Sequence, residues 1–447
     1  MSNQVNVAAV IDNSRIGGFQ LSVFALCFLC LAIDGFDVQA LGYVAPALMA
    51  ELGITRVELG PVLSAAPLGV LFGSIVFSIL ADRIGRRPVL IVATLLFALL
   101  TFMTARAQSL TELLIVRATG GVGMGAIMPI AVALVSEYAP RTSRFTVTMI
   151  VASGFTIGAA AGGFIAAWML PQWGWRSVFY FGAAVPVVVV VAMLFRLPES
   201  IQFLALKGGK GDALGRLLRR IDPGAKVGPD VTYVLPGAHR RGVPFFELLA
   251  DGRELGTILL WIVMFMNLLN IYLLQGWLTT FIAGMGIAES TAAMIAAMVQ
   301  VGGVIGAFSL GPVVLRLGFA PVLLVCGLLA SVNIALIGQP WMTVATLSVT
   351  VFIAGFCVVG GQSAINTMAA SYYPTELRAG GVGAGLGVGR VGAIVGPMLV
   401  SWLVVLEWSD ANIFVAAAVP PLILAVAMAL WNRLARPPEG KGTGGVH

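Results

Sequence analysis

Long apolar runs dominate the chain, and there are twelve of them. They fall at roughly 19–47, 57–81, 88–105, 110–137, 145–170 and 175–196, then 254–283, 288–312, 320–339, 341–371, 379–406 and 411–434. Most reach or exceed the ~20 residues that a helix needs to cross a bilayer. None alternates apolar with polar residues over ~10-residue segments, as barrel strands do. The pattern predicts an all-α membrane protein with 12 transmembrane helices in two six-helix halves. Its expected segments are an N-terminus (1–18), a first half (19–196), a linker (197–253), a second half (254–434) and a tail (435–447). Within the linker, residues 211–221 read GDALGRLLRRI, an amphipathic basic helix suited to a membrane surface.

Composition narrows the class. Hydrophobic residues make up 59% and charged residues 10%, against roughly a quarter charged in a soluble domain. Lys and Arg gather at alternate run ends: Arg15, Arg83, Arg86, Arg87, Arg141, Arg144, the linker, Arg316, Arg378, Arg433, Arg436 and Lys441. The opposite ends carry only Arg56, Arg106 and Arg176. The positive-inside rule therefore puts both termini in the cytoplasm. The net charge of +6 is this bias, and it points to no nucleic-acid partner. Cys27, Cys30, Cys326 and Cys357 lie inside apolar runs and read as small packing residues. Both histidines, His239 and His447, lie outside them, so no metal site is expected. There is no Gly-Lys-Ser/Thr phosphate loop and no Ser/His/Asp set. Neither a cofactor nor an enzymatic activity is expected.

Four strong charges sit well inside the runs: Asp34, Asp37, Arg117 and Arg390. A charge at the bilayer centre costs at least ~2.5 kcal/mol, so each is a functional candidate. Asp34 and Asp37 share a helix face, with Gly35 between them. A desolvated Asp can carry a proton, and a buried Arg offers a planar fork for a carboxylate. Static interhelical salt bridges are the competing reading. Asp34 and Asp37 are the candidates for proton coupling, and Arg117 and Arg390 for substrate binding. Gln39, Tyr272, Gln300, Gln362 and Asn366 are further substrate-binding candidates, with Asn267, Asn270, Gln275 and Trp277 beside them. Such amides can bind a ligand or hold helices together.

The two halves repeat at an offset of 233–234 residues. Arg83 and Gly85 match Arg316 and Gly318, Tyr138 and Arg144 match Tyr372 and Arg378, and Gly158 and Gly162 match Gly392 and Gly396. Parallel repeats of this kind imply a binding site between the halves near the bilayer midplane, served by alternating access.

These residues resemble the major facilitator superfamily. Residues 78–88, SILADRIGRRP, are similar to its signature after the second helix, with Ser78 in place of the usual glycine. The second-half copy, GPVVLRLGF at 311–319, is degenerate, with Leu315 where an acid is expected. Glu137-Tyr-Ala-Pro140, Leu197-Pro-Glu-Ser200 and Tyr373-Pro-Thr-Glu-Leu-Arg378 add to the likeness. Asp34-Gly-Phe-Asp37, GVGMGAIMP at 121–129 and GVGRVGAIVGP at 387–397 resemble the aromatic acid:proton symporter branch. Val38 departs from the Thr that often follows the Asp-Gly-Phe/Tyr-Asp signature. The resemblance implies a multi-pass, monomeric carrier in the cell (inner) membrane. It implies proton-coupled symport, with uptake of a small organic acid such as a hydroxybenzoate. It also implies a cytoplasmic latch of Asp82, Arg83, Arg86 and Arg87, and gate pairs drawn from Glu137, Arg144, Glu199 and Arg378. A symporter of a non-aromatic carboxylate stays open, as the branch includes such carriers. A drug exporter working by proton antiport is the other alternative. It is disfavoured because Gly162 is followed by Gly163 and not by proline.

Overall fold

In the computed structural model the described residues are 4–206, 211–224, 232–234 and 245–434. The expected tail, 435–447, lies outside them, as do linker residues 207–210, 225–231 and 235–244. The first half holds β1 (Gln4–Asn6), α1 (Val7–Asp12), α2 (Gly18–Leu52), α3 (Arg56–Ile84), α4 (Arg86–Arg106), α5 (Leu110–Tyr138) and α6 (Arg144–Arg196). The linker adds α7 (Ile201–Leu206), α8 (Gly211–Ile221), β2 (Thr232–Val234) and a 3-10 turn at Phe245–Leu249. The second half holds α9 (Glu254–Gly284), α10 (Glu289–Leu317), α11 (Phe319–Ile337), α12 (Val344–Tyr372), α13 (Arg378–Val405), α14 (Asp410–Ala417) and α15 (Val419–Leu434).

Among the described residues, 11 helical stretches are long and apolar enough to cross a membrane, α14 and α15 together forming one. One of the 11, α6, is 53 residues long. At 1.5 Å per residue that is about 80 Å, far beyond a ~30 Å hydrocarbon core. It breaks at Gly174, whose φ of 71° suits glycine. Before the break, Gly154 and Gly158 follow Phe28 and Ala32 up α2. After it, Gly182 meets Phe36 and Met193 returns to Cys30. The chain doubles back, so α6 supplies two crossings and the helices make twelve.

By contacts the chain forms two units, Met1–Ile54 with Pro61–Arg240, and Thr55–Gly60 with Arg241–His447. Packing inside each unit relies on small residues, because lipid gives helices no hydrophobic reason to associate. A Cβ on Gly158 would strike the Ala32 carbonyl, and one on Gly392 would strike the Phe265 carbonyl. Those carbonyls are themselves 233 residues apart, so the repeat holds in space. One contact is mirrored with its partners exchanged. Gly35 of α2 lies against the backbone of Phe155 on α6, while its counterpart Leu268 of α9 covers Gly389 on α13. Large apolar side chains such as Phe72, Val188 and Leu315 point outward and are exposed, as lipid-facing residues should be.

Two findings depart from the sequence reading. The amphipathic α8 does not lay its apolar face on a membrane surface. Leu214, Leu218 and Ile221 are buried in the first unit's core, in one cluster with Val7 and Ile11 of α1. Arg220 covers the Phe19 ring at 4.1 Å. There is also a short parallel strand pair, in which Gln4–Asn6 bonds to Thr232–Val234. Among the described residues, α1, α8 and the strand pair thus form a small cap on the first unit.

Candidate functional site

In the first unit the site is built on α2, α4 and α5. Asp37 and Arg117 are both almost fully buried. Arg117 Nη1 donates to Asp37 Oδ2 at 2.8 Å, and Nη2 lies 3.5 Å from the Asp37 carbonyl. Thr101 Oγ1 donates to Asp37 Oδ1 at 3.0 Å. Both carboxylate oxygens are therefore engaged, one by a cation and one by a neutral hydroxyl. The Phe179 ring lies 6.0 Å from the guanidinium, within cation–π range. Asp34 is buried one turn earlier, and Gln39 is buried on the same helix. The residues between the aspartates serve packing. Gly35 admits the α6 backbone, and Phe36 packs on Gly162, Gly182 and Phe181.

Sequence reading had no signal for Thr101. Of the buried threonines in α4, Thr94 and Thr104 return their hydroxyls to the carbonyls of Leu90 and Leu100. Thr101 instead turns outward to Asp37.

The second unit offers amides where the first has carboxylates. Moving 233 residues from Asp34 and Asp37 leads to Asn267 and Asn270. Asn270 Nδ2 donates to the Ala417 carbonyl at 2.7 Å. Asn267 Nδ2 donates to the Val358 carbonyl at 3.1 Å and to Gln362 Oε1 at 2.7 Å. Gln362 Nε2 then donates to Asn366 Oδ1 at 2.9 Å. Gln300 is buried, and Tyr272 and Arg390 are half-buried. Arg390 shares a face of α13 with Gly383 and Gly387, where an added Cβ would meet nothing within 4 Å. Gly385, Gly389 and Gly392 form the opposite, α9-facing side. Trp277 is a packing residue: it is fully buried and donates to the Pro397 carbonyl at 3.1 Å.

Four gate candidates of the first unit, Arg86, Arg87, Glu137 and Glu199, form one network. Arg86 pairs with Glu137. Glu199 Oε1 accepts the backbone N–H of Arg86 at 2.8 Å and of Arg87 at 3.1 Å, so it caps the start of α4. Ser200 Oγ donates to Glu137 at 2.7 Å, and Tyr138 donates to the Glu199 carbonyl at 2.6 Å. Arg87 donates to the Leu194 carbonyl at 2.7 Å. Arg144 reaches Asp12 of α1 at 2.6 Å, a partner absent from the sequence reading. Asp82 and Arg83 are exposed at the end of α3. Arg378 is exposed and makes no ion pair among the described residues. Two of the sparse arginines at the other helix ends are tied to acids, Arg176 to Glu51 and Arg56 to Asp410, both at 2.9 Å.

Asp34, Asp37 and Arg117 are thus buried charges on membrane-length helices, within a repeat carried through the packing. The Major Facilitator Superfamily model matches residues 27–246 and 260–447, and the chain belongs to that family. It is 37% identical over 430 residues to a 4-hydroxybenzoate transporter of Pseudomonas aeruginosa, covering 96% of each chain. It is 35% identical over 424 residues to a gallate transporter of Pseudomonas putida, covering 95% of this chain and 94% of that one. A 3-(3-hydroxy-phenyl)propionate transporter of Escherichia coli is 31% identical over 422 residues, with 92% and 93% covered. Among solved structures, a D-xylose-proton symporter superposes with a TM-score of 0.74 at 15% identity, covering 95% of this chain and all of the other. That likeness speaks for the fold alone.

Proposed function

We propose that the chain takes up a small aromatic carboxylic acid together with protons, by alternating access in the cytoplasmic (inner) membrane, with both termini inside. The observation that carries this reading is the buried Arg117–Asp37 pair beside Asp34. The full-length relatives named for hydroxybenzoate and gallate support the substrate class. In the proposed cycle a proton reaches Asp37 and neutralises it. Arg117 then loses its counter-ion and accepts the substrate carboxylate in its place. The buried charge is the same before and after, so proton and anion favour each other's binding, and an uncompensated buried charge is avoided. Asp34 is the second acid of the coupling site, and Arg390 a further cation for the carboxylate. Asp82, Arg83, Arg86, Arg87, Glu137, Arg144, Glu199 and Arg378 act at the cytoplasmic gate. There the Glu199 cap and the Arg86–Glu137 pair hold the first turn of α4.

The test is uptake of labelled 4-hydroxybenzoate into proteoliposomes, with and without an imposed pH gradient. A gradient of one pH unit supplies about 1.4 kcal/mol per proton. Wild-type protein should concentrate the acid when the outside is acidic, and a protonophore should abolish this. Asp37→Asn mimics the protonated state. It should still exchange bound acid across the membrane but should not concentrate it. Concentrative uptake by Asp37→Asn, or wild-type uptake indifferent to a protonophore, would refute the proposal.

A further inference from the structure

The amides of the second unit form a chain whose polarity is fixed at one end. The Val358 carbonyl can only accept a hydrogen bond. Asn267 must therefore turn its Nδ2 toward Val358, and the same nitrogen meets Gln362 at 2.7 Å. Gln362 must answer with its carbonyl oxygen, which leaves its Nε2 for Asn366. Asn366 in turn must answer with Oδ1. Reversing any one amide would set N–H against N–H or oxygen against oxygen. The order of donors is thus imposed by a backbone group and is not a free choice of side-chain flip.

The consequence falls at the far end. Asn267 is buried, whereas Gln362 and Asn366 are half-buried. The Asn366 Nδ2 makes no hydrogen bond among the described residues. The relay therefore ends in a neutral, held pair of N–H donors. Such an end is complementary to an oxygen that accepts, and Gln362 fixes where that oxygen must lie. A carboxylate carries a full charge and is better served by a guanidinium than by a lone amide. A ring hydroxyl is neutral, and a neutral donor at fixed distance suits it.

We propose that Asn366 donates to a ring-borne oxygen of the substrate, so that the Asn267–Gln362–Asn366 relay selects hydroxylated aromatic acids over unsubstituted ones. This rests on the aromatic-acid reading above. A site built to bond a hydroxyl discriminates against the analogue that lacks it, because its own polar group is then left unpaired.

The experiment is equilibrium binding of 4-hydroxybenzoate and of benzoate to purified full-length protein, with a thermal melt beside each measurement. Two variants separate donor from shape. Asn366→Leu removes the whole group. Asn366→Asp is nearly isosteric and keeps an oxygen for Gln362 Nε2, but it replaces the N–H donors with an acceptor. Both variants should weaken 4-hydroxybenzoate binding about tenfold, the loss of one neutral hydrogen bond. Benzoate binding should change less than about twofold in the uncharged Asn366→Leu, and the melts certify that each variant is folded. Wild-type affinity for 4-hydroxybenzoate in Asn366→Asp would overturn the inference, since the donors would then be dispensable. Equal losses for the two acids in Asn366→Leu would overturn it as well, because the group read by Asn366 would be the carboxylate. Wild-type protein that binds neither acid would refute the aromatic-acid reading itself, a result distinguishable from both.

Discussion

Asp34 and Asp37 of α2 and Asn267 and Asn270 of α9 hold matching places in the repeat, yet one pair can ionise and the other cannot. The surroundings follow that difference. The carboxylate of Asp37 is held by a cation and a hydroxyl. The amides of Asn267 and Asn270 are held by backbone carbonyls and another amide. A carboxylate can trade its proton, so its partner must tolerate two charge states. An amide has one state, and its bonds can be fixed once. In the proposed cycle, proton coupling therefore falls to the first half and neutral recognition to the second.

The largest expected effect comes from stripping the charged half of its cation. Arg117→Leu leaves Asp37 buried without its ion partner, a loss of about 3–5 kcal/mol for a broken buried pair. The melting temperature in detergent should fall steeply, and the double variant Arg117→Leu/Asp37→Asn should recover most of it. An unchanged melt in the single variant would mean that the pair is not the counterpart of a neutral amide site at all.

Next comes the exchanged packing contact. Gly35→Ala places a methyl group against the α6 backbone, which cannot move aside, and should cost about 1–3 kcal/mol. Gly389→Ala meets the flexible end of Leu268 and the Met264 carbonyl, both at 3.3 Å and so less tightly than Gly35 meets Phe155, and should cost less than about half of that. Equal destabilisation would show that the two halves pack alike despite the exchange.

Asn267→Leu should cost about 1 kcal/mol, in the range measured for interhelical hydrogen bonds in membranes. It should also leave the protonophore sensitivity of uptake intact. Loss of that sensitivity would put proton chemistry in the second half. The smallest effect is expected for Thr101→Val, about 0.6 kcal/mol. Its signature is a displaced pH profile of uptake, restored by Thr101→Ser, because the hydroxyl acts only through Asp37. An unmoved profile would reduce Thr101 to packing.

Hydropathy made the membrane helices legible, including the two crossings that α6 joins, because a bilayer demands long apolar helices and little else. It could not say what covers an apolar stripe. Residues 211–221 read correctly as a helix, but Leu214, Leu218 and Ile221 face protein instead of lipid, and both environments are equally apolar. The four charges inside the apolar runs were legible because they are costly there. Their pairing was not, since Arg117 lies 80 residues from Asp37 and nothing local marks it. Thr101 was invisible for another reason: a threonine in an apolar helix ordinarily satisfies itself. The Asn267 and Asn270 match was present in the repeat offset, but amides in membrane helices carry no penalty large enough to draw the eye.

The strand pair of the cap also orders events in time. Gln4 pairs with Thr232, 228 residues later in the chain. At about 5–20 residues per second of synthesis, that delay is roughly 10–45 s. During this interval the whole first half emerges, while β1 waits for a partner that does not yet exist. The closing of β1 on β2 is therefore a late step in biogenesis, and it can come only after the whole first half has been synthesised.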